Sequence, residues 1–135
     1  MYTKYIKQAT HSVFSDAFGH DVSEAEKNMR AGRYNSSIKI KTNDDDIDVF
    51  FTFNKKTLAK LVQDYMFEDS PDEETIVDFS CEMANLIVGT AKVFANDDNH
   101  MIDISTPLVE ESYPKKLSKE FTYNFNDMNF KIGVR

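Results

Sequence analysis

Residues 78–89 of this 135-residue chain read Asp78-Phe79-Ser80-Cys81-Glu82-Met83-Ala84-Asn85-Leu86-Ile87-Val88-Gly89. In and around this stretch apolar residues recur every three to four positions, which predicts a helix with one side in a core. These residues are Ile76, Phe79, Met83, Ile87 and Phe94. Asp78, Glu82 and Asn85 stand at i, i+4 and i+7, so the same helix places their side chains together on its opposite face.

Two interpretations of this polar face are open. Acidic and amide side chains in such a row usually form the solvated side of an amphipathic helix. A carboxylate and a carboxamide one turn apart can also bind a cation and orient a water molecule. Gly89 favours the second interpretation, because a Gly within a helix costs about 1 kcal/mol relative to Ala and often marks a place of close approach.

The segments just upstream predict two helix starts. Ser70-Pro71-Asp72-Glu73 predicts the start of the long helix, with Ser70 as N-cap, Pro71 at the first helical position and Glu73 completing a capping box. This helix should run to about Phe94. Asn54 is predicted to cap a shorter helix that ends near Tyr65. Its inner face should consist of Leu58, Leu61, Val62 and Tyr65.

The N-terminal third predicts a helix followed by a β-hairpin. Residues 2–18 are amphipathic at helical spacing, and Gly19 is predicted to end that helix. Residues 20–33 are predicted as a loop or a weak strand. Residues 37–41 and 47–53 form the predicted hairpin. The second strand is nearly all apolar, so it should be central and buried on both faces.

The C-terminal third predicts three strands, at 101–104, 121–125 and 129–134. Thr106-Pro107 ends the first, because Pro cannot donate a hydrogen bond to a ladder. Asn126-Asp127 forms the turn between the other two. Residues 1–135 are therefore predicted as a single α+β domain. Its largely antiparallel sheet should have the N-terminal helix and the long motif-bearing helix packed on one face.

The pattern Asp78-x-x-x-Glu82-x-x-Asn85, with Pro107 downstream in Ile104-Ser105-Thr106-Pro107, resembles the signature of the CheC/CheX/FliY family of chemotaxis phosphatases. The resemblance extends to the N-terminal helix and to the strand Val49-Phe50-Phe51-Thr52-Phe53. One copy of the motif is present, which favours the CheX branch over CheC. The acidic run at 43–46 and the Asn85-to-Pro107 interval depart from the family pattern, but neither touches the site.

The resemblance implies a fold of the CheC/CheX type and a phosphatase that acts on the phospho-aspartate of a CheY-type response regulator. Asn85 would orient the attacking water, and Glu82 would pair with the partner's active-site lysine. Asp78, Gly89 and Pro107 would contribute to binding. No cofactor of its own is implied, because Mg²⁺ is expected in the partner's active site.

Two alternatives remain open at this point. The chain could be a non-catalytic scaffold that binds a response regulator or is associated with the flagellar switch, or a plain homodimerisation module. The family resemblance also implies a homodimer. Strands 121–125 and 129–134 are aromatic-rich and reach the chain end, which predicts an exposed sheet edge that a second subunit would pair.

The composition argues against several other classes of protein. A net charge of −7 argues against nucleic-acid binding, which needs clustered Lys and Arg. The single Cys81 cannot form an intrachain disulfide, which predicts a reducing compartment, and mid-helix beside Glu82 it is a poor nucleophile. No apolar run approaches the ~18 residues of a membrane span. We therefore expect a cytoplasmic protein that does not associate with membranes.

No metal site is predicted. Asp44, Asp46 and Asp48 alternate like the start of a calcium loop, but the Gly and Glu required later in such a loop are replaced by Val49 and Lys55. The three His residues are too dispersed for a local metal-binding motif.

Overall fold

The computed structural model describes residues 2–135. In that range the helices are α1 Tyr2–Val13, α2 Lys55–Met66 and α3 Glu73–Asp97, and a π-helical turn, Phe14–Phe18, extends α1. The strands are β1 Ser23–Glu24, β2 Tyr34–Lys41, β3 Asp46–Phe53, β4 Asp103–Ile104, β5 Leu108–Glu110, β6 Lys119–Phe125 and β7 Met128–Val134.

The strands form one sheet in the order β1-β6-β7-β3-β2-β4, with β5 also paired to β2. Every pairing is antiparallel. α3 contacts α1, α2, β2 and β3, so the helices form one layer over the sheet. The predicted α+β class, with helices on one face of an antiparallel sheet, is confirmed.

Aromatic side chains fill the space between the two layers. The ring of Phe14 stacks on Phe130 with centroids 5.0 Å apart, and Phe130 also stacks on Phe53 and Tyr123. All four are at most 1% exposed. Aromatic pairs of this kind stabilise a core beyond the area that they bury. They fix the helical layer, and α3 with it, against the sheet.

Irregular segments cover the opposite face of the sheet. The backbone N–H groups of Met29 and Gly32 donate to the hydroxyls of Thr122 and Thr52, at 3.0 and 2.7 Å. Tyr113 packs over Gly133, where a Cβ would collide with the tyrosine hydroxyl. Residues 49–53 of β3 are accordingly buried on both faces. This confirms the prediction of a central strand.

The predicted N-cap of the long helix is wrong. Asp72, not Ser70, caps α3: its carboxylate accepts a hydrogen bond of 2.8 Å from the Thr75 N–H. Asp is as good an N-cap as Ser, so the cap lies two residues later and Pro71 precedes the helix. α3 also continues to Asp97, about one turn beyond the predicted end.

The predicted exposed edge is wrong for the last strand, β7, and holds only in part for β6. β7 lies between β6 and β3, and β1 pairs with β6 at Ser23 and Glu24. Phe130 and Ile132 are fully buried. The aromatic residues of these strands belong to this chain's own core, because the helical layer covers them. The outer edge of β6 is bonded to residues 23–25 only over residues 122–124.

Smaller differences concern several strands and one side chain. The strand predicted at 101–104 is limited to Asp103–Ile104, and β5 was not predicted. Tyr65 is on the inner face of α2 as predicted, where its ring contacts Phe18 and Phe79, but it remains 39% exposed.

β2 begins at Tyr34, three residues before the predicted start, and β6 begins at Lys119, two residues before it. Two predicted helix ends are confirmed. Gly19 ends the π-helical turn with φ +69°, and Asn54 caps α2 by accepting from the Thr57 N–H at 2.9 Å.

Candidate functional site

α3 is the rigid element that carries the candidate site. Ile76, Phe79, Met83 and Ile87 are at most 3% exposed and form its inner face. The Ser36 hydroxyl on β2 donates to the Ser80 carbonyl at 2.8 Å. The Tyr34 hydroxyl donates to the Glu73 carboxylate at 2.9 Å. Core packing and these two bonds fix the helix on the sheet, so side chains on its outer face have defined positions.

The predicted polar face lines an open groove beside α3, here called the site groove, of about 440 Å³. One wall of the groove is α3 and the other is the segment between β4 and β5. Its lining comprises Asp78, Cys81, Glu82, Asn85, Ile104, Ser105, Thr106 and Pro107. The structure therefore brings Asp78, Glu82, Asn85 and Pro107 together, although Pro107 lies 22 residues beyond Asn85 in the sequence.

A bulge next to β2 shapes the second wall. Ile104 pairs with Ile40 and Leu108 with Ser37, so the outer segment advances four positions while β2 advances three. Ser105 remains bonded to Lys39, since its N–H donates to the Lys39 carbonyl and its hydroxyl accepts from the Lys39 N–H, both at 2.9 Å. Pro107 has no N–H to give to a ladder, which suits it to a bulge.

The polar side chains of α3 are available to an external partner. Asp78 and Asn85 are exposed and Glu82 is half-buried. Among residues 2–135, no hydrogen bond or ion pair involves any of these three side chains. Glu73 contrasts with them, because it is bonded to Tyr34 and paired with Arg33 at 3.6 Å. The fold occupies Glu73 and leaves the site residues free.

Cys81 lies in the site groove but is not suited to nucleophilic chemistry. Burial raises the pKa of its thiol, and the carboxylates of Asp78 and Glu110 raise this pKa further, against a lowering hydrogen bond to Ser80. The thiol therefore stays protonated near neutral pH, whereas the thiolate is the reactive form.

Gly89 lies one turn beyond Asn85 on α3 and is not among the residues that line the groove. A Cβ built at Gly89 would meet no other atom within 4 Å. Packing within this chain therefore does not require Gly at this position.

Part of the site region was not predicted from the sequence. A second hollow, of about 340 Å³, adjoins the groove and is lined by Tyr65, Met66, Thr75, Asp78, Phe79 and Glu82. Tyr65 was predicted on the inner face of α2, where its ring does contact Phe18 and Phe79, but its partial exposure was not predicted. The signal available in the sequence was the apolar run Tyr65-Met66-Phe67 immediately before an acidic segment.

A larger cavity, of about 690 Å³, lies on the opposite side of β2 and meets the groove only at Ser105 and Thr106. Its charged residues neutralise one another: Asp48 pairs with Lys39 at 3.4 Å and with Arg135 at 3.5 Å. The site groove is thus the better candidate for chemistry. Across residues 2–135, no three His, Cys, Asp or Glu side chains are arranged to hold a metal ion.

A family model described as chemotaxis phosphatase CheX matches residues 34–125, which include α3 and both walls of the groove. This chain belongs to the CheX family. The family predicted from Asp78, Glu82, Asn85 and Pro107 is therefore confirmed. No curated protein sequence matches the chain. No helix within residues 2–135 combines the length and apolar character needed to cross a membrane.

Solved structures share this fold at low sequence identity. The chain is similar to the chemotaxis protein CheX from Vibrio vulnificus, with a TM-score of 0.79 and 14% identity over 98% of this chain and 97% of the other. A CheX from Desulfovibrio desulfuricans gives 0.76 and 18%, over 99% and 97%. The CheX–CheY–BeF3–Mg²⁺ complex from Borrelia burgdorferi gives 0.73 and 14%, over 99% and 96%.

Proposed function

We propose that this CheX-family protein hydrolyses the aspartyl phosphate of a CheY-type response regulator. The observation that carries the proposal is the arrangement of Glu82 and Asn85. They lie one turn apart on a helix fixed to the sheet, they face one groove, and no side chain within residues 2–135 pairs with them. The B. burgdorferi relative, crystallised with CheY, BeF3 and Mg²⁺, supports the choice of partner.

In this proposal the bond to be hydrolysed belongs to the partner, and this chain positions the attacking water. Mg²⁺ in the partner's active site would neutralise charge on the phosphoryl group. The Asn85 carboxamide can accept a hydrogen bond from water through its oxygen and donate through its nitrogen, so it can hold one water in line with phosphorus. The Gln that orients the attacking water in small GTPases acts in the same way.

Glu82 fixes the register of the complex by pairing with the partner's active-site lysine. It is half-buried beside exposed Asn85, so a lysine that meets Glu82 brings the phosphoryl group toward the carboxamide. Asp78, one turn nearer the start of α3, adds negative charge along the same groove. Pro107 forms the facing wall, and the open space at Gly89 admits the partner's loops.

The required acceleration is modest. An aspartyl phosphate is already reactive, and a ~10²-fold increase in hydrolysis corresponds to about 2.7 kcal/mol off the barrier. Orientation of a water molecule can supply a contribution of that size. Neither a metal nor a nucleophile of this chain's own is needed.

Phosphate release from an acetyl-phosphate-charged CheY-type regulator, with and without this protein, tests the proposal. We expect faster release with the protein, and no added release with Asn85→Ala. Binding of the regulator in its beryllofluoride-loaded form should be measured in parallel. Tight binding without faster release would overturn the enzymatic proposal and assign the chain to the non-catalytic binding proteins.

We also propose that the protein is a homodimer, a proposal that rests mainly on family membership because β7 lies inside the sheet. Light scattering at micromolar concentration should give a mass near twice 15.6 kDa. A monomeric mass with full phosphatase activity would contradict the dimer and leave the site proposal intact.

A further inference from the structure

The end of α2 exposes three consecutive large apolar side chains. Tyr65 is 39% exposed, Met66 50% and Phe67 91%. Phe67 is the most exposed large apolar residue within residues 2–135. Single exposed apolar residues are common on protein surfaces, whereas contiguous ones mark interaction sites. These three residues are here called the α2 apolar cap.

The backbone of Phe67 adds a second observation. Its φ of +56° and ψ of +36° are left-handed, a conformation that Gly or Asn usually provides after a helix. A bulky aromatic residue pays a conformational cost there. At 91% exposure Phe67 gains little packing within the chain in return. The fold therefore gives no reason for an aromatic side chain at this position.

The α2 apolar cap is continuous with the site groove. Tyr65 and Met66 line the 340 Å³ hollow with Phe79, and Asp78 and Glu82 form part of the same lining. Those two carboxylates also line the site groove. A partner that presses its active site against Glu82 and Asn85 therefore also faces the hollow.

Charge identifies the kind of surface that fits. The segment 66–82 contains no Lys or Arg, and its seven carboxylates are Glu68, Asp69, Asp72, Glu73, Glu74, Asp78 and Glu82. The complementary surface is apolar and bordered by positive charge. A second copy of this chain does not fit, because a two-fold contact through this patch would place these acidic residues against themselves.

We propose that the hollow binds an apolar side chain of the response regulator and that Met66 and Phe67 cover this side chain in the complex. The inference rests on the proposed function, since it takes the regulator as the partner at Glu82 and Asn85. The docking surface then has a polar half on α3, which carries the chemistry, and an apolar half on the α2 apolar cap, which carries affinity.

Phe67→Asn is the informative variant, because Asn tolerates the left-handed backbone and removes the ring. We expect about tenfold weaker binding of beryllofluoride-loaded regulator, the loss typical of a buried aromatic anchor. The half-saturating regulator concentration for phosphate release should rise by a similar factor, while the maximal rate changes much less. The thermal midpoint should not fall.

Met101→Asn is the matched control, because Met101 is 70% exposed and lies outside both the groove and the hollow. It should bind the regulator like the wild type. If Phe67→Asn also binds like the wild type, the inference is overturned. A change in the mass of free protein with Phe67→Asn would also overturn it, because the occupant would then be a second copy.

The two proposals fail separately. If the wild type accelerates phosphate release but Phe67→Asn keeps wild-type affinity, the function stands and the docking surface is rejected. If the wild type binds regulator in a Phe67-dependent manner but releases no phosphate, the docking surface stands and the enzymatic function is rejected.

Discussion

The substitution Asn85→Ala should lower phosphatase activity without lowering the stability of the fold. The Asn85 side chain is exposed and makes no bond within residues 2–135, so its removal deletes no stabilising contact. Position 85 lies inside α3, where Ala is a better helix former than Asn by about 0.5 kcal/mol. For a chain of this size the thermal midpoint should therefore rise by about 2 °C.

Activity should change in the opposite direction. Loss of the water-orienting carboxamide should slow phosphate release by about 10²-fold, or about 2.7 kcal/mol in the barrier. Affinity for the beryllofluoride-loaded regulator should stay near that of the wild type, because an oriented water is used mainly in the transition state. The assay is single-turnover phosphate release at saturating phosphatase, with circular dichroism melting on the same samples.

Gln8→Ala provides the control, since it removes an exposed carboxamide from α1, away from the groove. It should keep wild-type turnover. Retention of wild-type turnover by Asn85→Ala would refute the assigned role of the carboxamide. Loss of turnover together with a lower melting temperature would refute the claim that its effect is chemical.

Three further predictions concern α3. Glu82→Lys should weaken binding of the phosphorylated regulator far more than it slows bound-state hydrolysis, because it sets like charge against the partner's lysine; a titration that gives wild-type affinity would remove Glu82 from docking. Gly89→Ala should stabilise the fold by about 0.5–1 kcal/mol, since a helical Ala replaces Gly in open space, yet weaken regulator binding; denaturant melts and a titration test both halves, and unchanged affinity would show that no partner approaches Gly89. Asp72→Asn concerns pH: hydrogen bonds from the backbone N–H and the hydroxyl of Thr75 lower the pKa of the Asp72 carboxyl. The stabilisation from this lowered pKa is present above the unfolded pKa of about 3.9 and lost as pH falls through the folded value. Acid unfolding followed by circular dichroism should therefore be less steep for Asp72→Asn, and identical acid profiles would contradict this role.

Local patterns were sufficient for the helices and the motif. The spacing of Ile76, Phe79, Met83 and Ile87 predicted both the helix and its buried side, because one repeat of about 3.6 residues decides both. The same spacing placed Asp78, Glu82 and Asn85 on one exposed face. The hairpin of β2 and β3 was predicted for a similar reason, since alternation and a polar turn are both local signals.

Errors arose where two local solutions have nearly equal free energy. Ser70 and Asp72 are both good N-caps, and Pro71 is acceptable in either frame. In the folded protein α3 begins after Asp72, and Glu73 in its first turn accepts a hydrogen bond from Tyr34 on β2. Tyr65 fits the helical stripe of α2 and contacts Phe18 and Phe79, but α2 ends one residue later at Met66 and leaves Tyr65 39% exposed.

Sequence patterns alone predicted the helix and its polar face, because both depend on residues within a few turns of one another. The motif on that face, together with Pro107 downstream, indicated the family. The position of Pro107 opposite Glu82 and Asn85 follows from the fold, because it depends on the register in which residues 103–110 pair with β2. The fold also decided that β7 lies inside the sheet and that Tyr65 and Met66 adjoin the site. Strand order and the position of α2 against α3 result from packing between residues far apart in sequence, and the spacing of residues along the chain does not encode that packing locally.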